Sequence, residues 1–173
     1  MVATLTDPFG VGHMGITAEN LVTKWGITRE EQDQLAVESH RKAAAAIAEG
    51  RFKSQIVPIV KQTRKGEVTF DTDEHVKAST TMETLAKMKP AFKKDGTITA
   101  GSASQISDGA AALLLGDREK ALALGLRPRA RFLARVVVAG DPTLQLLEVI
   151  PAAKKALERA GLSLRDVDVI EVN

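Results

Sequence analysis

The chain has 173 residues, 44% of them hydrophobic and 27% charged, with a formal net charge of +2. That size suits one ordinary domain or parts of two, and that balance suits a folded soluble chain rather than a disordered one. So small a charge excludes a global field for nucleic acid, and the lack of any cysteine excludes disulfides, a thiolate nucleophile and thiolate-held metals.

Aromatic residues make up only 3%, so the core must rest on Ala, Leu, Val and Ile. The opening residues, MVATLTDPFG, carry no charged start and no long apolar run, and do not read as a signal peptide. Gly10, Gly12 and Gly15 match G-x-G-x-x-G. Pro8 breaks the strand that a dinucleotide site needs before it, so the plain reading is a turn that lets backbone approach another surface. Thr17 is expected to cap a helix over residues 20–24 that Gly26 ends. Thr28 with Glu31 forms a capping box at the start of a long helix reaching about Glu49. Leu35, Ser39, Ala43, Ala46 and Ile47 share one face of it, and Gly50 closes it. Two strands follow, over residues 55–60 and 67–70, with Pro58 marking a sheet edge and Gly66 the turn. Residues 71–101 are expected to be mostly irregular, with a short helix over residues 82–88. So long a loop implies function or an inserted subdomain.

After Gly101 the character changes. Residues 110–115 read as a strand buried on both faces, far short of the ~20 apolar residues of a membrane helix. Asp117 caps a helix that ends at Gly125. Residues 129–138 read as another strand. Pro151 suits the first turn of a helix reaching Ala160, with Ala153, Ala156, Leu157 and Ala160 on one face and Gly161 at its end. Residues 167–172 read as a last strand. Strands alternating with helices imply a layered α/β architecture. A sheet cut directly after a strand, at Asn173, suggests a truncated domain. A cytoplasmic or organelle-lumen location is the default expectation.

Few side chains carry chemistry. Ser104 in GSASQIS fails the G-x-S-x-G pattern, because Ser102 and Ile106 stand where glycines are required. It reads as part of a polar loop, or as a hydroxyl offered to an amide-bearing ligand. His40 reads as a surface or packing residue within its helix. His75 lies among Asp71, Asp73 and Glu74, where a solvated loop is favoured over a metal site. His13, between glycines and before a helix, is open between a turn and a site residue. Asn173 stands where open α/β sheets place functional groups, or simply caps a turn. Lys61, Arg64 and Lys65, then Lys87, Lys89, Lys93 and Lys94, read as solvated faces, with a landing site for an anion such as a nucleotide phosphate as the sharper alternative.

Four ordered stretches together resemble the thiolase family of coenzyme A-dependent acyltransferases: HMGITAEN from His13, GITREEQDQLAVESH from Gly26, KPAFKKDGTITAGSASQISDGAAALLL from Lys89, and VDVIEVN ending at Asn173. The resemblance covers essentially the whole chain. It implies a thiolase-like layered α/β fold of two similar halves with an inserted loop domain. Residues 1–106 would be most of the coenzyme A-binding loop domain, 107–127 the close of the N-terminal half, and 128–173 the start of the C-terminal half. It also implies acyl transfer between coenzyme A thioesters through a Cys acyl-enzyme, with a His activating that Cys and a second Cys moving protons. Neither Cys is here, and His13 matches the HMG histidine rather than the catalytic base of a later motif.

By the same resemblance, Ser104 matches the serine that hydrogen-bonds pantetheine, and Leu5, Phe92 and Ala100 match apolar walls of its tunnel. His13 and Met14 match residues near the acyl group, and Lys77 a basic position near the nucleotide end. Asn173 matches the asparagine that holds a water in an oxyanion hole. The HMG histidine leans toward the short-chain, acetoacetyl type. LEVIPAA at residues 147–153 departs from the family's Gly-Pro-Ile-Pro form, and Gln105 and Ile106 depart from its small residues. The expectation is an internal piece of an acetyl-CoA C-acetyltransferase, inactive alone. Coenzyme A thioester would be its substrate, with no cofactor, no nucleic acid or membrane partner, and a homo-oligomeric parent. The alternative is a stand-alone coenzyme A-binding or assembly module.

Overall fold

The computed structural model describes residues 2–107 and 109–173, arranged as two compact units, Met1–Gln105 and Ile106–Asn173. Met1 and Asp108 lie outside the described residues.

The first unit begins with a short 3-10 helix, Val2–Leu5. The chain then reverses. Asp7 N–H donates to the Gly12 carbonyl at 2.9 Å, and Thr6 bridges antiparallel to His13. Gly10 and Gly12 make that reversal with φ of 104° and 105°, a region that disfavours any residue with a Cβ. Helix α1 runs over Met14–Trp25. Its cap is His13, not Thr17. The His13 backbone is extended and its Nδ1 accepts the Gly15 N–H at 3.0 Å, the task usually given to Ser, Thr, Asp or Asn. Thr17 lies wholly buried one turn inside. Gly26, at φ 64°, ends the helix as expected.

Helix α2, Arg29–Ala48, has the full capping box: Glu31 N–H donates to Thr28 Oγ1 at 3.1 Å, and Thr28 N–H to Glu31 Oε2 at 2.7 Å. Its face at Leu35 and Ser39 is not core, since both are exposed. Its one buried residue is Asp33, paired with Arg29 at 2.8 Å. Arg29 also donates to the carbonyls of Leu85 and Met88, so one guanidinium joins α2 to the segment of α3, Met82–Ala86.

Strands β1, Ile59–Thr63, and β2, Gly66–Phe70, form an antiparallel hairpin with Thr63 opposite Gly66. The first strand starts later than residue 55. The Phe52 carbonyl takes the N–H of Gln55 and of Ile56, and Pro58 has no N–H to give. Residues 71–101 are otherwise irregular apart from α3. Within them Pro90 bridges Thr99, and Ala91 N–H donates to the Ile98 carbonyl at 2.8 Å. Among the described residues of this unit the buried ones are Leu85, Ile98 and Gly15 with the polar Thr17, Glu19, Asp33 and Thr99. The core is therefore held by hydrogen bonds as much as by apolar area.

In the second unit, Asp117 caps α4, Arg118–Ala123, by accepting from Glu119 and Lys120 N–H, both at 3.0 Å. A 3-10 helix, Pro142–Glu148, leads into α5, Val149–Ala160, which packs back on it. Pro151 lies in the first turn of α5, and Gly161 ends it at φ 66°. Ala156, Leu157 and Ala160 are half-buried, whereas Ala153 is exposed. The strands expected over residues 110–115, 129–138 and 167–172 are not formed. Leu114 is 86% exposed and Val169 83%. A strand exists only with a neighbour to share ladder bonds, and among the described residues the sheet is the β1–β2 hairpin alone. No described helix is long and apolar enough to cross a membrane.

Candidate functional site

A groove of about 540 Å3 opens in the first unit. One wall is a stripe of α2, Gln32, Ala36, Ser39 and His40, at the i, i+4, i+7, i+8 spacing that places side chains on one helical face. The facing wall is the turn from Ala100 to Gln105, and Lys77 lies at its edge. That turn is wired internally. Wholly buried Thr99 donates its N–H to Ser102 Oγ at 3.1 Å, and its Oγ1 accepts the Gly101 N–H at 3.1 Å. A Cβ at Gly101 would run into the Leu85 side chain, so this position needs a glycine for close approach. The turn ends by presenting Ser104 at the surface of the groove.

Lys77 is held through its backbone. Its N–H donates to His40 Nδ1 at 3.2 Å. With Nδ1 accepting, the neutral imidazole carries its proton on Nε2, leaving a donor for a ligand. Gln105 Nε2 donates to the His75 carbonyl at 3.4 Å and ties the two loop segments together. The groove thus combines apolar patches at Leu35, Leu85 and Met88 with hydroxyls, imidazoles and one ammonium. Such a surface suits an extended ligand with apolar and amide parts and an anionic end.

A second cluster sits at the start of α1. The Phe92 ring stacks on the His13 imidazole, centroids 5.0 Å apart and planes 21° off parallel. It lies so close over Gly15 that any Cβ there would overlap the ring. Met14, partly exposed at 38%, begins the helix beside them. Half-buried Leu5 ends the 3-10 helix just before the Thr6–His13 bridge.

Of the eight residues singled out by sequence, the structure brings Lys77, Ala100 and Ser104 onto the groove. It gathers His13, Met14 and Phe92 around the start of α1. Asn173 lies exposed in the second unit, after Val172, which is 64% exposed rather than part of a buried strand. Gln32, His40 and His75 also line the groove and were not foreseen there. The helical spacing of Gln32, Ala36, Ser39 and His40 was the available signal; for His75 no sequence signal existed. The acidic stretch around His75 is an exposed turn in which Asp73 Oδ1 accepts the His75 N–H at 2.9 Å. Among the described residues no group of three or more His, Asp or Glu is placed to hold a metal ion.

The family model for the thiolase N-terminal domain matches residues 1–119. The chain belongs to the thiolase family. It is 49% identical over 174 residues to a beta-ketothiolase of Cupriavidus necator, covering 100% of this chain and 44% of that protein. An acetyl-CoA acetyltransferase of Syntrophomonas wolfei is 52% identical over 169 residues, 98% of this chain and 42% of that one. The crystal structure of the Bacillus anthracis acetyl-CoA acetyltransferase superposes with a TM-score of 0.87 at 48% identity, over 96% of this chain and 42% of that one. The fold is the thiolase α/β fold, and the chain spans less than half the length of these relatives.

Proposed function

We propose that this chain forms the coenzyme A-holding part of an acetyl-CoA acetyltransferase. The observation that carries the reading is the meeting of Lys77 with the Ala100–Ser104 turn on one groove against α2. Ser104 supplies a hydroxyl for a pantetheine amide, and Ala100 an apolar wall. Lys77, joined by His40 and His75, supplies positive charge or N–H donors for the nucleotide end. Leu5 and Phe92 add further apolar wall for pantetheine, and His13 and Met14 flank the acyl end, with Met14 limiting its depth. Asn173 holds the water of an oxyanion hole. Residues 1–106 serve as loop domain, 107–127 as the close of the N-terminal half and 128–173 as the start of the C-terminal half.

Acyl exchange between thioesters needs a soft nucleophile, a base and oxyanion donors. The chain contains no cysteine, so its 173 residues bind and orient without attacking the thioester. The substrate is a short acyl- or acetoacetyl-coenzyme A, no further cofactor takes part, and the setting is a cytoplasmic homo-oligomer.

Calorimetric titration of the chain with coenzyme A tests this. We expect saturable 1:1 heat, and Ser104→Ala to weaken binding about tenfold, the effect of one lost hydrogen bond of about 1.4 kcal/mol. Absence of heat, or a Ser104→Ala variant that binds unchanged, overturns the reading.

A further inference from the structure

Glu19 belongs to neither ligand-facing cluster, yet its buried carboxylate accepts from two backbone N–H groups. It lies on α1 and is 4% exposed. Its Oε1 accepts the Thr97 N–H and the Ile98 N–H, each at 2.9 Å, while Oε2 lies 3.1 Å from the same Thr97 nitrogen and 3.5 Å from Thr97 Oγ1. Two consecutive backbone donors are thus turned inward onto one carboxylate 78 residues earlier in the chain. Charge-assisted bonds of this kind are roughly twice as strong as neutral ones. The neighbouring residue is Gly96, where any Cβ would overlap the carboxylate. Gln32 of α2 donates to Thr97 Oγ1 at 2.9 Å, so both long helices hold Thr97.

The held segment is a closed loop. Ala91 N–H donates to the Ile98 carbonyl and Pro90 bridges Thr99. Phe92 sits inside that loop and stacks on His13; Ala100 and the wired turn to Ser104 leave from its other end. His13 and Glu19 stand on the same helix end, as cap and as second-turn residue. One carboxylate therefore sets where the Phe92 ring meets His13 and where the Ser104 turn begins.

We infer that Glu19 is a positioning residue: by clamping Thr97 and Ile98 it fixes the spacing between the His13–Phe92 cluster and the groove at Ala100–Ser104. The inference rests on the coenzyme A reading only for its consequence in binding. Glu19→Leu keeps most of the bulk but removes both acceptor oxygens, leaving the Thr97 and Ile98 N–H groups without them. Gly96→Ala displaces the carboxylate by a second route while leaving Glu19 in place.

The test is amide hydrogen exchange and imidazole NMR on the full chain, with coenzyme A calorimetry alongside. In both variants the Thr97 and Ile98 amides should exchange at least about tenfold faster. The His13 ring protons should lose their ring-current shift from Phe92, while the amides of residues 43–46 in α2 stay protected. Coenzyme A affinity should fall about tenfold. Folded variants that keep those two amides protected and the His13 shift intact overturn the clamp. Loss of the shift with coenzyme A binding unchanged overturns its role in positioning. If the amides and shift respond as expected but the unmodified chain gives no heat with coenzyme A, the clamp stands and the coenzyme A reading is what fails.

Discussion

On the outer side of α2, Glu38 meets Arg41 at 2.7 Å and Lys42 at 3.6 Å. The hydrogen-bonding Arg41 guanidinium holds the Glu38 carboxyl down, from 4.5 to about 2. The folded value lies below the ordinary one, so the stabilisation it reports is present above pH 4.5 and is lost as pH falls toward 2. Both side chains are solvent-exposed, so salt weakens the pair. We expect the Glu38 titration midpoint, followed by NMR at low salt, to return toward 4.5 in Arg41→Ala. A midpoint unmoved by that substitution would contradict the assignment. On the inner side, Gly15→Ala should drive the Phe92 ring off His13. Overpacking of this kind costs about 1–3 kcal/mol, readable as a lower melting temperature together with loss of the His13 ring-current shift. Single side chains were only partly legible in the sequence. Ser104 announced itself as a polar loop residue and His13 as a turn or site residue. The paired role of His40 with Lys77 depends on a contact across 37 residues, which no local pattern encodes.

Elements whose signals are local are where sequence and structure agree best. The Thr28–Glu31 capping box, the Asp117 cap and the glycine ends at Gly26, Gly125 and Gly161 all form as read, because each depends on a few adjacent residues. Thr28→Ala should remove about 1 kcal/mol of helix stability, measured by thermal melting. Leu85→Ala deserves a larger loss, about 3 kcal/mol, because Leu85 is 2% exposed and one of the two buried apolar residues described in the chain. The agreement ends where an element needs a distant partner. Residues 110–115, 129–138 and 167–172 have the composition of buried strands, but composition cannot supply the neighbour that makes a ladder. The cap of α1 was misread for a different reason. Thr17 has the usual capping chemistry, but the turn made by Gly10 and Gly12 delivers His13 first, and its ring nitrogen does the same work.

At the scale of the whole molecule, the family was legible from four ordered motifs, and the match over residues 1–119 with the TM-score of 0.87 establishes it. The groove is built from α2, Lys77 and the turn after Thr99, three pieces that sequence physics alone does not join; the resemblance put Lys77, Ala100 and Ser104 forward. The proposal gives this chain, which contains no cysteine, carrier-binding work without the thiolate. The most direct measurement is a segment exchange: this chain replaces the matching stretch of the Cupriavidus necator beta-ketothiolase, and acetoacetyl-coenzyme A thiolysis is followed at varied coenzyme A. We expect an active chimera whose KM for coenzyme A lies within about tenfold of the parent's, and rises about tenfold further with Ser104→Ala. A folded chimera without thiolysis, or one indifferent to Ser104→Ala, would contradict it.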